Sequence, residues 1–469
     1  MRLRNTVLIT LLHCVLFVSA QQGNYKFNNY GNRSILLAGN VTGSVSDLAL
    51  AYYNPSFLAI SDNVGISLNA KAYQLENFKL KDILNENTTL SSSKFNNVST
   101  MAGGIFNLFN TRFAYSYLTK SNYNIDLNYD SNYVDEDILA LFPDTESHNA
   151  NIGIKSSVRE DWSGLTWAYI ITDRFSVGIS AFGSVYNYKG TSNLSHTIVS
   201  SSNSVSYYES ATRFTQKSYG LYLKVGSNYQ FEKFSIGLNI NLPYMEFYND
   251  GSFDYTEVIA GVSPEFDKFI DNDFEDLKAK KKEPIGVSVG AGIPFNKNKI
   301  HINIDYVSGI SKYDRLIIPD LDTGDGQLTT VNFDEERRPV INFGIGFELY
   351  IEDNLSGYGG FSTDFSALTN SANIFDISAE ENKEVNIGED FYHFSLGADW
   401  KLKWASLIMG ITFTNSSKDF LSPYRLNADG IDIQNDIKAQ LKYSRWQFVI
   451  GLDIPLFSSK LKNLSSSKN

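Results

Sequence analysis

Cysteine is all but missing from these 469 residues, since Cys14 stands alone. It falls in a leader with Arg2 and Arg4 at its start, an apolar run from Thr6 to Val18, and small residues at Val18-Ser19-Ala20 before Gln21. That is the layout of a secretory signal over residues 1–20. His13 occupies the place where a lipoprotein leader needs a small residue, and the apolar run continues past Cys14, so cleavage after Ala20 is expected. The exported chain then has no thiol. Secreted eukaryotic β-proteins of this size usually carry disulfides, so the absence points to a bacterial envelope.

Other absences narrow the function. No apolar run is long enough for a membrane-spanning helix, which takes about 20 residues. Basic residues are in deficit, 40 Lys and Arg against 52 Asp and Glu for a net charge of −12, and they do not cluster. Without Arg2 and Arg4 the balance is 38 against 52, or −14. Phosphate contacts need clustered cations, which argues against nucleic acid as a partner. Rossmann and P-loop glycine patterns are missing. Outside the leader the histidines are His148, His196, His301 and His393, none at metal-ligand spacing to another, and no cofactor or metal is expected. Gly286-Val287-Ser288-Val289-Gly290 has the G-x-S-x-G form of serine hydrolases, but no helix pattern follows to make the required elbow. A smooth small-residue stripe on a strand accounts for it. Asp320 to Gly326 resembles a calcium loop with its glycine out of register and no glutamate at the twelfth position, and a solvated turn is expected. Nothing here argues for an enzyme.

Aromatics are plentiful, at 14% of the residues, in a chain whose mean hydropathy is −0.21. They fall into a period of two. Phe175, Val177, Ile179 and Ala181 alternate with Ser176, Gly178 and Ser180; Ile300, Ile302 and Ile304 alternate with His301, Asn303 and Asp305; Tyr392, Phe394, Leu396 and Ala398 alternate with His393, Ser395, Gly397 and Asp399. This is strand periodicity. It predicts about fourteen strands, over 64–77, 98–109, 111–128, 148–171, 174–189, 203–230, 233–249, 284–296, 299–314, 333–350, 354–368, 387–402, 404–416 and 436–457. Short turns alternate strictly with long polar loops, at 78–97, 129–147, 190–202, 250–283, 315–332, 369–386 and 417–435. Residues 264–283 are expected to form a short surface helix or stay mobile. Short turns on one rim and long loops on the other, with an even strand count, describe an all-β transmembrane antiparallel barrel. Both chain ends then fall on the short-turn side. An aromatic stands beside every short turn, among them Phe109, Phe113, Phe175, Phe231, Phe295, Trp400 and Trp404, as a membrane girdle requires.

The stretch before the first strand is compact and apolar. It runs Gly31-Asn32-Arg33-Ser34-Ile35-Leu36-Leu37-Ala38-Gly39-Asn40, then Ser46-Asp47-Leu48-Ala49-Leu50-Ala51-Tyr52-Tyr53-Asn54-Pro55-Ser56-Phe57-Leu58. It resembles the amino-terminal signature of the FadL outer-membrane transporters, the long-chain fatty acid and aromatic hydrocarbon channels. Ala38-Gly39, Asp47, Ala51, Tyr53, Asn54, Pro55 and Leu58 carry the likeness. Ser56 and Phe57 replace the family's Ala-Gly, and Leu36-Leu37 replaces part of its glycine-rich patch.

The resemblance implies a barrel over 64–457 with a plug, or hatch, over 21–63 inside its lumen; the Ser/Lys-rich residues 458–469 are expected to be a disordered periplasmic tail. The implied plug residues are Gly39, Asp47, Tyr53, Asn54, Pro55 and Leu58. Alternation places Asn239, Asn241, His301, Asn303, Asp305, His393 and Asp399 on the lumen side. The implied function is passive uptake of hydrophobic small molecules, fatty acids or hydrocarbons, across the outer membrane of a Gram-negative bacterium. Lipids and lipopolysaccharide would be its other partners, with a single chain as the unit and both termini periplasmic. In that family substrate leaves sideways through a wall gap at a kinked third strand, yet 111–128 hold neither glycine nor proline, so no kink is placed. An alternative is a barrel of the same superfamily that serves as shuttle or scaffold for protein secretion.

Overall fold

The computed structural model describes residues 23–61, 65–81, 89–109, 111–131, 145–261, 267–322, 328–331, 333–368, 390–421 and 438–455. The leader and the tail lie outside them. Because apolar and polar residues alternate, each strand has one face suited to hydrocarbon and one to a polar interior. The wall starts with β1 (Gly65–Lys81), β2 (Thr89–Leu108), β3 (Thr111–Ser131), β4 (Thr145–Thr172), β5 (Phe175–Ser200) and β6 (Val205–Gln230). Next come β7 (Ser235–Asn241), its continuation β8 (Met245–Ala260) and β9 (Lys268–Leu277), which folds back on β8. After β10 (Gly286–Phe295) and β11 (Asn298–Val307), an insertion carries β12 (Ile310–Leu316), β13 (Leu321–Asp322), β14 (Leu328–Thr329) and β15 (Phe333–Arg337). The wall resumes with β16 (Val340–Glu352), β17 (Leu355–Asp364), β18 (Phe391–Lys401), β19 (Ser406–Leu421) and β20 (Lys438–Pro455).

Neighbouring wall strands pair antiparallel around the ring, and β1 meets β20 from Gly65↔Pro455 to Lys81↔Gln440. The result is a closed fourteen-stranded barrel, with β7 and β8 sharing one position. Outward side chains form a continuous apolar belt, including Leu165, Ile179, Leu238, Ile304, Phe343, Leu396, Met409 and Ile450, all exposed. Exposed apolar surface on this scale needs hydrocarbon around it. At the short-turn rim Phe109, Phe231, Phe234, Phe295, Trp400 and Trp404 are exposed as well.

The strands rise further than their alternation suggested. Parts of the expected loops 78–97, 129–147 and 190–202 are continuations of β1 to β5. Above a membrane the outward face is wetted, so outward residues such as Lys79, Asn193 and Thr197 turn polar and the apolar alternation fades while backbone pairing continues. Within the expected helix or mobile loop 264–283, Lys268–Leu277 form a strand: β9 pairs with β8 from Phe253↔Phe274 to Ile259↔Lys268, and 264–266 lie outside the described residues. The expected strands 299–314 and 333–350 each divide, at residues 308–309 and 338–339. The loop 369–386 and most of 417–435 lie outside the described residues.

Two large apolar clusters fill much of the interior, beside two small ones around Tyr25. One joins Ile35, Leu36, Leu50 and Leu58 of the amino-terminal segment to inward side chains of β2 to β6, such as Met101, Leu118, Trp162, Phe182 and Tyr222. The other, with Tyr188, Phe214, Phe253, Leu316 and Phe333, packs the insertion against the tall wall of β4 to β9.

Candidate functional site

Residues 23–61 are almost wholly buried, and their contacts explain how so short a segment holds a shape. A single turn, α1 (Arg33–Leu36), has no cap of its own. Asp47 supplies one from a distance. Its carboxylate accepts from Arg33 N (2.7 Å), Ser34 N (2.9 Å), Ser34 Oγ (2.7 Å) and Ala49 N (3.1 Å). It therefore ties α1 to α2 (Leu50–Tyr53). Behind α1 the chain turns through positive φ at Ala38 and Gly39; at Gly39 a side chain would strike Asn29 and the Tyr53 hydroxyl. Tyr53 donates to Asn29 Oδ1 at 3.1 Å and accepts from Tyr30 N at 3.2 Å. Asn54 then caps the 3-10 turn Pro55–Ile60, accepting from Ser56 N and Ser56 Oγ. Leu58, within that turn, is fully buried.

From inside the ring this segment reaches strands on every side. Arg33 pairs with Asp399 on β18 at 2.7 Å and with Asp453 on β20 at 3.5 Å. Asn40 donates to Ile345 O on β16 and Phe361 O on β17. Thr42 N donates to Asn303 on β11 at 3.2 Å, Ser44 Oγ lies 2.6 Å from His301 Nδ1, and Lys26 pairs with Asp305 at 2.7 Å. Asn54 donates to Ser227 O on β6, and Ser176 on β5 donates to Ser56 O. From Asn32 to Ser56 the contacts follow chain order around the ring, and wall glycines mark the track. Side chains at Gly451, Gly410, Gly360, Gly344, Gly290, Gly226 and Gly178 would overlap residues 32, 36, 37, 40, 43, 54 and 55 in turn. Of the small-residue stripe at Gly286–Gly290, Gly290 belongs to this track, whereas Gly286 meets Asn241 of β7.

The expected lumen residues thus divide. His301, Asn303, Asp305 and Asp399 bind the amino-terminal segment directly. His393 contacts Thr414 and lies 3.5 Å from Asp364, whose carboxylate accepts from Lys26 N. Asn239 donates to Asn241, which accepts from Lys224 at 2.7 Å. The last two line cavities. Gly23 lies against Ser366 and Leu368 and accepts from Ala367 N at 2.7 Å, at the end of β17 remote from its short turn, whereas Pro455 is at the short-turn rim. The start of the described chain is therefore not on the short-turn side.

One seam in the wall is incomplete. β2 and β3 pair only from Leu108↔Thr111 up to Met101↔Leu118. Above that point β2 pairs with β1 alone and β3 with β4 alone. Bulges stand at this height in three adjacent strands, at Ala72 in β1, Thr100 in β2 and Lys120 in β3. A bulge needs neither glycine nor proline, which is why the third strand looked regular in sequence. The freed carbonyl of Lys120 accepts from Asn28 Nδ2 (3.0 Å) and Tyr30 Oη (3.1 Å), and Lys94 Nζ donates to Asn124 Oδ1 across the seam at 2.8 Å.

Behind the seam lie two adjoining cavities of about 70 and 60 Å³. Tyr25, Tyr52, Lys224, Asn241 and Val307 face both; Lys120, Trp162, Tyr222 and Glu283 are among the residues that line the larger alone. Trp162 stacks on Tyr222 with centroids 4.1 Å apart, and Lys224 Nζ sits 3.8 Å over the Tyr52 ring. Above them residues 278–285 dip inward, and Lys281, fully buried, pairs with Glu160 at 2.5 Å. Sequence reasoning missed this cluster, although its signal was present: Phe182, Tyr186 and Tyr188 sit on the opposite parity of β5 from its lipid-facing residues. A third cavity of about 260 Å³ opens at the short-turn rim beside Arg33 and Asp453. Among the described residues no cluster of His, Cys, Asp or Glu could hold a metal ion.

The same fold occurs in solved structures. A FadL homologue of Pseudomonas aeruginosa superposes with a TM-score of 0.60 at 11% identity, covering 92% of this chain and 100% of that one. The toluene transporter TodX of P. putida gives 0.55 at 11%, with 92% and 99% covered. CymD, a monoaromatic hydrocarbon channel, gives 0.52 at 11%, with 92% and 98% covered. These neighbours are transporters and channels. No family model matches the chain, and no curated protein matches it.

Proposed function

We propose that the chain is an outer-membrane channel for passive uptake of hydrophobic small molecules, with residues 23–61 as its hatch and the β2–β3 seam as a lateral exit into the bilayer. The observation that carries this reading is the seam. Backbone pairing lapses there over the whole upper part of both strands, above Met101 and Leu118, a longer break than the few residues left unpaired between β16 and β17, and the segment in the lumen holds it through Asn28 and Tyr30. A hydrophobic solute that leaves sideways never meets bulk water below the membrane, which favours the route. Two of the fold neighbours named above are a toluene transporter and a monoaromatic hydrocarbon channel.

The exported chain lacks cysteine, so a double variant Lys94→Cys, Asn124→Cys offers a clean pair of thiols across the seam. A short reducible bis-thiosulfonate linker should abolish toluene uptake into whole cells, and dithiothreitol should restore it. Unchanged uptake with the linker in place would overturn the lateral route. A second reading, a scaffold for protein secretion, is favoured by how fully side chains fill the upper lumen, where the apolar cluster of Tyr188, Phe214 and Phe333 surrounds the buried pairs Lys281–Glu160 and Arg315–Glu335. On that reading the linker changes nothing, and a secreted protein accompanies the barrel through gentle detergent extraction.

A further inference from the structure

We propose that the two adjoining cavities behind the seam form a binding site for a compact ring-bearing carboxylate, of about the size of benzoate. The inference rests on the channel reading and narrows its substrate class.

Size comes first. A water-sized position takes up roughly 10–15 Å³ of such a cavity. Cavities of about 70 and 60 Å³ together offer roughly ten positions, near the nine or so non-hydrogen atoms of benzoate and about half those of a sixteen-carbon acid. Shape follows from the rings. Tyr52, Trp162 and Tyr222 line the larger cavity, with Tyr52 and Trp162 centroids 6.0 Å apart and Trp162 stacked on Tyr222. Flat faces of this kind receive another ring by offset or edge contact.

Charge decides between a hydrocarbon and an acid. Lys120 and Lys224 both present ammonium groups to this space, and among the described residues neither has a carboxylate at ion-pair distance. Lys224 is 4% exposed, and its Nζ donates to Asn241 Oδ1 while resting on the Tyr52 ring. Asp305 on the far side is already taken by Lys26 at 2.7 Å. Glu283 lines the larger cavity but is shared among Lys281, Lys120 and Arg337. A buried ammonium without a counter-ion is costly, and an entering carboxylate relieves that cost. A neutral hydrocarbon leaves it in place.

The test is binding to the purified full-length barrel in detergent, by calorimetry, with benzoate, toluene and palmitate as probes. Benzoate should bind at least tenfold more tightly than toluene. Lys224→Met should lose at least tenfold in benzoate affinity while leaving toluene unchanged, and Lys224→Arg should recover most of the loss. Heat-modifiable migration on gels checks that each variant folds. Toluene or palmitate binding as tightly as benzoate, or benzoate binding unaffected in folded Lys224→Met, overturns the proposal. So does the absence of benzoate binding. The linker experiment at the seam tests the channel separately, so a channel without this site and a failed channel give different results.

Discussion

Gly43 of the amino-terminal segment lies directly on Gly290 of β10, so that a Cβ built on Gly43 would overlap the Gly290 carbonyl and one on Gly290 would meet the Gly43 nitrogen. Ser235 Oγ on β7 donates to Gly43 O at 2.6 Å beside this contact. The two backbones are moulded to each other, and neither position has room for a side chain. Gly290→Val should push the segment off the wall. Overpacking of a filled interior costs about 1–3 kcal/mol, read as a lower temperature of heat-modified migration and faster passage of small solutes into proteoliposomes. Val289→Ala, on the outward face of the same strand, should show neither effect.

Arg33 and Asp399 form a second anchor. Asp399 has no solvent exposure, and Arg33 is its partner at 2.7 Å. Arg33→Ala leaves that carboxylate buried and alone, at a cost of about 3–5 kcal/mol. Arg33→Ala with Asp399→Asn should recover most of the lost thermal stability, because the uncompensated charge is then gone. A double variant no more stable than Arg33→Ala would show that packing, not charge, sets the cost.

Lys120 is the extra residue that takes β3 out of step with β4, between Thr119↔Asp161 and Ser121↔Glu160. Deleting it should bring the strand back into register, let β3 pair with β2 above Leu118, and shut the seam. The expected outcome is a folded, heat-modifiable barrel without toluene uptake. Lys120→Ala keeps the bulge and should keep the uptake.

Glu283 stands in the segment between β9 and β10, outside the wall strands. Burial pushes its carboxyl up to about 7 and Glu160 on β4 adds to this, against the pull of Lys281 beside it, Lys120 on β3 and Arg337 on β15. Below pH 7 it is neutral and leaves the cations of the cavity free; above, its charge repels a second carboxylate. Benzoate affinity should therefore rise as pH falls from 8 to 6, a range in which benzoate itself stays ionised. Glu283→Gln should hold the tight value throughout.

The barrel was legible because its signal is repeated. Alternation along β5, β11 and β18 is imposed by lipid on one side and a polar interior on the other, and no single substitution hides it. Asp47, Asn54 and Pro55 stood out only through the resemblance of their stretch to a family signature, and the capping contacts of Asp47 and Asn54 come from the structure. Three kinds of feature escaped. The bulge at Lys120 is a backbone event between two ordinary strand residues. The inward dip of residues 278–285 depends on Lys281 finding Glu160, 121 positions away. And the expected lumen residues His301, Asn303, Asp305 and Asp399 proved to be partners of the amino-terminal segment, since alternation gives the side of the wall and not what stands against it.

Asn54 offers the sharpest test of that segment as a hatch. Its side chain is fully buried, donates to Thr42 O (2.8 Å) and Ser227 O (3.1 Å), and accepts from Ser56 N (3.1 Å) and Ser56 Oγ (2.6 Å). One amide thus joins two stretches of the segment to each other and to β6. Asn54→Ala strands several buried partners, each worth about 1–3 kcal/mol when unsatisfied, and should loosen the turn at Pro55 while the barrel persists. Deleting residues 31–58 goes further, stripping cover from Met101, Leu118, Trp162 and Tyr222 in the shared core. The deletion should give a barrel of lower thermal stability that leaks small sugars in liposome-swelling assays, with Asn54→Ala intermediate. Sugar permeability unchanged in a folded deletion variant would mean that the upper lumen alone seals the pore and the segment is no hatch.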